Sequence, residues 1–120
     1  MSARTLITSG GPWEEQVAYS RAVVQGDWAF VSGTTAPGDG IAAQADAALA
    51  RIAAALEEGG FTMAEVVRVR YLVQEVAEFE ACWPVLRRWF GEVRPAATMQ
   101  QCGLIDPSLR IEIEATAFRG

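Results

Sequence analysis

The chain has 120 residues, the size of one domain (1–120), with half of them apolar and a fifth charged, as in an ordinary globular protein. It contains no histidine and no lysine, and ten arginines against fifteen acids leave a net charge of −5. That balance excludes electrostatic capture of nucleic acid, which needs clustered basic side chains, and leaves any chemistry to carboxylates, guanidinium groups, hydroxyls, amides, two thiols, backbone groups or bound water.

The remaining composition narrows the class further. A chain of this length buries roughly two-thirds of its unfolded surface, so one core suffices without staples. Four Trp and five Phe in so short a chain favour an oligomer, which would cover surplus apolar surface. Cys82 and Cys102 are far apart with no CxxC spacing, the pattern of a reduced, cytoplasmic protein. Without histidine, no usual zinc ligand set can be assembled, so no metal is expected. Neither a signal peptide nor a membrane-spanning run is expected.

Taken in chain order, Thr5–Thr8 reads as a short strand closed by Ser9-Gly10-Gly11-Pro12, and residues 13–18 as a connecting segment. Tyr19–Val24 and Trp28–Gly33 read as strands of a hairpin turning at Gln25-Gly26-Asp27. After the loop Pro37-Gly38-Asp39-Gly40, Ile41–Glu58 is the clearest helix. Its apolar residues recur at helical spacing, Gly59-Gly60 ends it, and its many alanines suit close approach to a sheet. Thr62 and Glu65 have capping-box spacing. Val66–Val73 is a strand with Val67, Val69, Tyr71 and Val73 on one face. Glu75–Phe90 is a second helix with the stripe Phe79, Trp83, Leu86 and Phe90, begun or kinked at Pro84 and ended at Gly91. Ala97–Cys102 and Leu109–Phe118 are final strands, read as a compact hairpin around Asp106-Pro107-Ser108. The order βββαβαββ predicts an α/β (α+β) domain: a mixed sheet with two helices on one face and the other face bare.

Glu112 and Glu114, two apart on an alternating strand, share a face about 7 Å from each other. Such a pair is ordinarily the solvated outer face of an edge strand. Its functional reading is a cleft carboxylate whose pKa partial burial would raise.

The segments Tyr19-Ser20-Arg21-Ala22-Val23, Phe30-Val31-Ser32-Gly33, the helix of residues 44–60 and the run of residues 66–73 resemble, in order, the RidA/YjgF family. So do Arg94-Pro95-Ala96 and residues 110–115. The family's members are reactive-intermediate deaminases, also labelled endoribonuclease L-PSP-like. The resemblance implies a chorismate-mutase-like fold and a homotrimer whose three interfaces each hold a ligand cleft. It also implies cofactor-free hydrolysis of small imines or enamines to a keto acid and ammonia.

Carried over position by position, Glu112 matches the water-positioning glutamate, Tyr19 the cleft tyrosine, and Ser32 and Gly33 the Ser-Gly of the hairpin strand. The arginine that binds substrate carboxylate is Ala97 here, a following cysteine is Met99, and a helix asparagine is Trp83. Alanine supplies nothing in place of a planar guanidinium fork. The chain therefore resembles an arginine-lacking subfamily, with short imino acids disfavoured as substrates and a small, planar organic molecule expected instead. Backbone donors near Ala97 and Thr98, with Tyr19, would hold the ligand; Gln101 adds an amide that both donates and accepts. Arg21, Arg68 and Arg70 stand as replacements for the lost arginine. The alternative, from a different class, is a non-catalytic binding or regulatory trimer. An endoribonuclease fits poorly with an acidic chain lacking His and Lys.

Overall fold

A computed structural model describes residues 3–120. Six strands form one sheet in the order β1-β2-β3-β6-β4-β5. They are β1 (Arg4–Ile7), β2 (Ala22–Gln25), β3 (Trp28–Thr34), β4 (Val66–Val73), β5 (Ala96–Gln101) and β6 (Ile111–Phe118). All pairings are antiparallel except β4 with β5. The main helix, α2 (Ile41–Glu58), packs over β3 and β6, and α3 (Trp83–Phe90) lies beside it. Among the described residues no helix is long and apolar enough to cross a membrane.

The core is the layer between sheet and helices. Ile111, Ile113, Ala115 and Ala117 point inward from β6, and Val69, Tyr71 and Val73 from β4. They meet Ala45, Ala48, Leu49, Ile52, Ala55 and Leu56 of α2. Alanine on the sheet-facing stripe removes side-chain bulk and lets the helix axis approach the strands, while Leu49 and Ile52 fill the pleats. Gln44, also buried, ties the layers together: its amide donates to the Ser108 carbonyl at 2.9 Å and accepts from the Arg110 N–H at 2.7 Å.

Several expectations change at the level of local geometry. Most of residues 13–18, read as a connector, belongs to a short helix, α1 (Pro12–Val17), with Pro in its first turn followed by Glu14 and Glu15, both favourable at a helix start. The hairpin strand begins at Ala22 rather than Tyr19, and Gln25 pairs with Trp28 around the two-residue turn Gly26-Asp27. Gly26 supplies the positive φ that this turn requires at its first position. Val67 is exposed instead of sharing a face with Val69, because the register slips between Val66 and Arg68 and leaves Val67 as the extra residue of a bulge. Val76–Cys82 winds as a 3₁₀ segment, and the α-helix starts only at Trp83, with Pro84 in its first turn. Thr62 and Glu65 do form the reciprocal capping box.

The largest correction concerns the last two strands. They do not pair with each other. Residues 102–110 carry the chain back across the sheet, and β6 inserts between β3 and β4, while β5 runs parallel to β4 at the sheet edge. Glu112 and Glu114 therefore stand on a central strand, not an edge.

Cys82 is fully buried and donates its thiol proton to the Phe79 carbonyl at 3.1 Å, and burial pushes its pKa up to about 11. Cys102 is half-buried. Thiolate is the reactive form, so native protein treated with iodoacetamide at pH 8 is expected to carry the label on Cys102 and not on Cys82. Peptide mass spectrometry reads the outcome.

Candidate functional site

The alternation of β6 puts Ile111 and Ile113 into the core and sends Glu112 and Glu114 to the opposite face of the sheet. Glu112 sits opposite Leu72, and Glu114 opposite Arg70. Their surroundings differ. Glu114 is ion-paired with the Arg70 guanidinium at 3.4 Å, and that same guanidinium donates to the Gln100 amide oxygen at 2.6 Å. Among the described residues Glu112 has no arginine within salt-bridge distance, and it is half-buried. Burial pushes its pKa above the ordinary 4.5, the neighbouring Glu114 charge pushes it further, and the more distant Arg21 charge pulls it partly back.

The space for that carboxylate is made by Gly33. A Cβ at position 33 would overlap the Glu112 carboxyl group. The φ of Gly33 is not positive, so glycine is required here for room rather than for backbone freedom. The Glu112 carboxylate thus lies on the bare backbone of the Ser32-Gly33 bulge, where β3 slips against β6 between Val31 and Thr34. Side-chain hydrogen bonds hold the bulge. The Ser32 hydroxyl donates to the Ser20 carbonyl at 2.6 Å, Thr34 donates to the Ser32 carbonyl at 2.8 Å, and Arg21 Nη2 donates to the Gly33 carbonyl at 2.6 Å. Arg21 in turn lies 5.9 Å from the centre of the exposed Tyr19 ring. Tyr19, Arg21, Ser32, Gly33 and Glu112 form one connected group.

Gly33→Ala is expected to push the Glu112 side chain out of its seat at little cost in stability, because every atom the new methyl meets belongs to that flexible side chain. Denaturant unfolding should therefore find Gly33→Ala close to wild type.

The other sequence-derived positions fall elsewhere. Ala97, Met99 and Gln101 lie opposite Val69, Tyr71 and Val73, so they share the helix-side face of the sheet. Thr98 lies opposite Arg70 on the Glu112 side. Glu112 is separated from β5 by β4, about 10 Å in the plane of the sheet. The Gln101 amide oxygen accepts from the Val76 N–H at 2.8 Å, which anchors the start of the 3₁₀ segment. Trp83, expected in the apolar stripe, is largely exposed at the start of α3, while Val85 and Phe90 point into the core. Within one chain, then, Ala97, Met99, Gln101 and Trp83 are not brought to Glu112.

Of the three replacement arginines, Arg70 is occupied by Glu114 and Gln100, and Arg68 is exposed on the sheet face. Only Arg21 touches the Gly33 seat. The signal was present in the sequence: a two-residue turn at Gly26-Asp27 sets Ala22 against Val31, which places Arg21 beside Ser32.

With this geometry in view, the comparisons with known proteins are decisive. The endoribonuclease L-PSP family model matches residues 12–119. The chain belongs to the endoribonuclease L-PSP family. Its resemblance to RidA/YjgF proteins holds in three dimensions. Rv2704 of Mycobacterium tuberculosis, a member of the YjgF/YER057c/UK114 family, superposes with a TM-score of 0.95 at 43% identity, over 98% of this chain and 100% of that one. The SCO2049 protein of Streptomyces coelicolor is 32% identical over 95% of this chain and 91% of its own. The 2-iminobutanoate/2-iminopropanoate deaminase of Bos taurus is 29% identical over 92% of this chain and 82% of its own. The family thus includes imine deaminases as well as proteins labelled for endoribonuclease activity.

Proposed function

We propose that this L-PSP family chain is a cofactor-independent hydrolase that deaminates a small imine or enamine in clefts formed between the copies of a homotrimer. The observation that carries the reading is Glu112. It is a half-buried carboxylate with a raised pKa, seated on the bare backbone of Gly33 on a central strand. A carboxylate with its pKa moved toward the working range accepts a proton from water more readily than an ordinary one, and water so aligned attacks an electrophilic C=N carbon. Nitrogen leaves as ammonia once the tetrahedral carbinolamine collapses. Holding water and an already activated carbon together supplies much of the needed acceleration.

Two features support clefts between copies. Glu112 and the group Ala97, Met99 and Gln101 lie on opposite faces of one sheet, so a ligand that touches both sets draws them from different chains. The sheet face opposite the helices is bare and carries Trp28 in contact with both Phe30 and Phe118, an apolar surface that a second copy would cover.

Ammonia release from imines and enamines generated in situ tests the function. The expected result is turnover proportional to protein, with slow or no turnover of 2-iminopropanoate, since Ala97 offers no cation to its carboxylate. The second reading, a binding or regulatory trimer, is favoured by the same Ala97. It predicts ligand that binds and is recovered intact.

A further inference from the structure

Beside the Glu112 seat, a groove of about 910 Å³ runs between the end of β1 and α2. Ile7, Thr8 and Ser9 form one wall, Ala54 and Ala55 the other, and Arg21 and Arg51 both border it. Arg70, Arg88 and Arg110 are each paired with a carboxylate, but among the described residues neither Arg21 nor Arg51 has one within 4.0 Å. Arg51 Nη1 donates to the Thr35 carbonyl at 2.7 Å, and Arg21 Nη2 to the Gly33 carbonyl at 2.6 Å. Arg21 Nε is buried with no acceptor at all. A buried guanidinium N–H without a partner is costly.

Two carboxylates already feel the Arg21 charge, which helps hold the Glu14 pKa down and pulls that of Glu112 partly back. The buried Glu14 carboxylate behind Thr8 and Ser9 accepts from both their hydroxyls and from the Ser9 N–H, so those donors are already used. Glu57 and Glu58 border the groove at the far end of α2. Glu58 is seven residues beyond Arg51, about 10 Å along the helix.

We propose that the Arg21–Arg51 end of this groove is the substrate's carboxylate subsite, and that the substrate is a bulky carboxylate whose apolar body packs on Ile7, Ala54 and Ala55. This rests on the deamination reading. Arg21 links the two places: its guanidinium borders the groove and holds the Gly33 carbonyl, and Gly33 carries the Glu112 carboxylate. The anion-binding task that position 97 cannot perform is thereby moved to β2 and α2. A groove of this volume is far larger than a three- or four-carbon acid fills, so short imino acids leave it mostly empty.

Binding of two product-like probes, 2-oxobutanoate and 3-phenyl-2-oxopropanoate, tests the proposal by isothermal titration of the full-length protein. The phenyl acid is expected to bind at least tenfold more tightly than the short acid. Arg21→Gln and Arg51→Gln should each weaken it, Arg21→Gln by at least tenfold, while the distant exposed Arg87→Gln leaves it unchanged. Arg21→Lys should recover only part, because a point charge replaces a planar fork. Thermal melting identifies any variant that fails to fold; if Arg21→Gln does so, Arg51→Gln decides alone. Equal affinity for both acids, or affinity unmoved by the folded arginine variants, overturns the subsite. Glu112→Gln should still bind the phenyl acid; binding by the wild type without ammonia release from any imine would refute the deamination reading and leave the subsite standing.

Discussion

Glu112→Gln is expected to lower ammonia release by at least about 100-fold, the usual scale for losing a positioned general base, while the protein assembles as the wild type does. Glutamine matches the carboxylate in shape, so the Gly33 seat stays filled, but it cannot take a proton from water. Unchanged turnover would remove Glu112 from the mechanism.

Two further consequences follow from the raised pKa of Glu112. The ionised form is the one that accepts a proton, so activity should rise with pH through a limb that lies above the ordinary 4.5. Stability runs the other way. A carboxyl group whose pKa is higher in the folded than in the unfolded chain binds its proton more tightly when folded. Its favourable contribution is complete below the unfolded pKa and is lost as pH rises through the folded pKa. At neutral pH the wild type therefore carries the cost of a half-buried charge facing Glu114. Glu112→Gln should melt at a higher temperature than wild type at pH 7, and the difference should vanish below pH 4.5. A residue whose removal stabilises the fold while abolishing turnover is held there by function and not by packing.

The parts of this arrangement differ in how legible they were in the sequence. The strict alternation of residues 111–117 dictated that Glu112 and Glu114 face away from the core, and the alanine spacing of residues 41–58 dictated a helix that lies close on a sheet. Both are local patterns with a single solution. Strand order is not local. Residues 96–101 and 111–118 look like neighbours because they are close in sequence, but the better-buried place for an Ile-Ile-Ala-Ala face is beneath α2, between β3 and β4. The segment of residues 83–90 returns the chain in the sense that makes β5 parallel to β4, a crossover that a helix between two strands permits. Bulges were equally invisible. The slip at Val67 exposes a valine, and the slip at Ser32-Gly33 creates the seat for Glu112; each depends on pairing with β6 rather than on residues nearby. Ala97 was legible only as a loss. Arg21, Arg68 and Arg70 look alike in the sequence, and only the backbone contact at Gly33 separates the three.

Phe30→Glu is expected to leave a folded single chain that releases no ammonia. Phe30 stands at the middle of the bare sheet face, 47% exposed, stacked against Trp28, which is itself tilted onto Phe118. A polar rim adjoins this aromatic patch: Arg68, Arg70, Glu114 and Thr116 line a hollow of about 210 Å³ with Phe30. Aromatic anchors ringed by polar groups are the usual energetic centre of an interface, and truncating one costs about 2 kcal/mol or more. A carboxylate there adds the desolvation of a charge in every copy that meets the surface. The fold of the single chain should survive, because Phe30 points away from the layer filled by Leu49, Ile52, Ile111 and Ile113. Circular dichroism should thus match wild type while analytical ultracentrifugation reports the mass of one chain. Glu112 and its Gly33 seat would remain intact in that chain, yet without the face contributed by a neighbour they would lie open to water and lose turnover. Persistence of the wild-type mass would locate the assembly surface elsewhere, and full activity in a dispersed chain would show that the Glu112 group works without a partner.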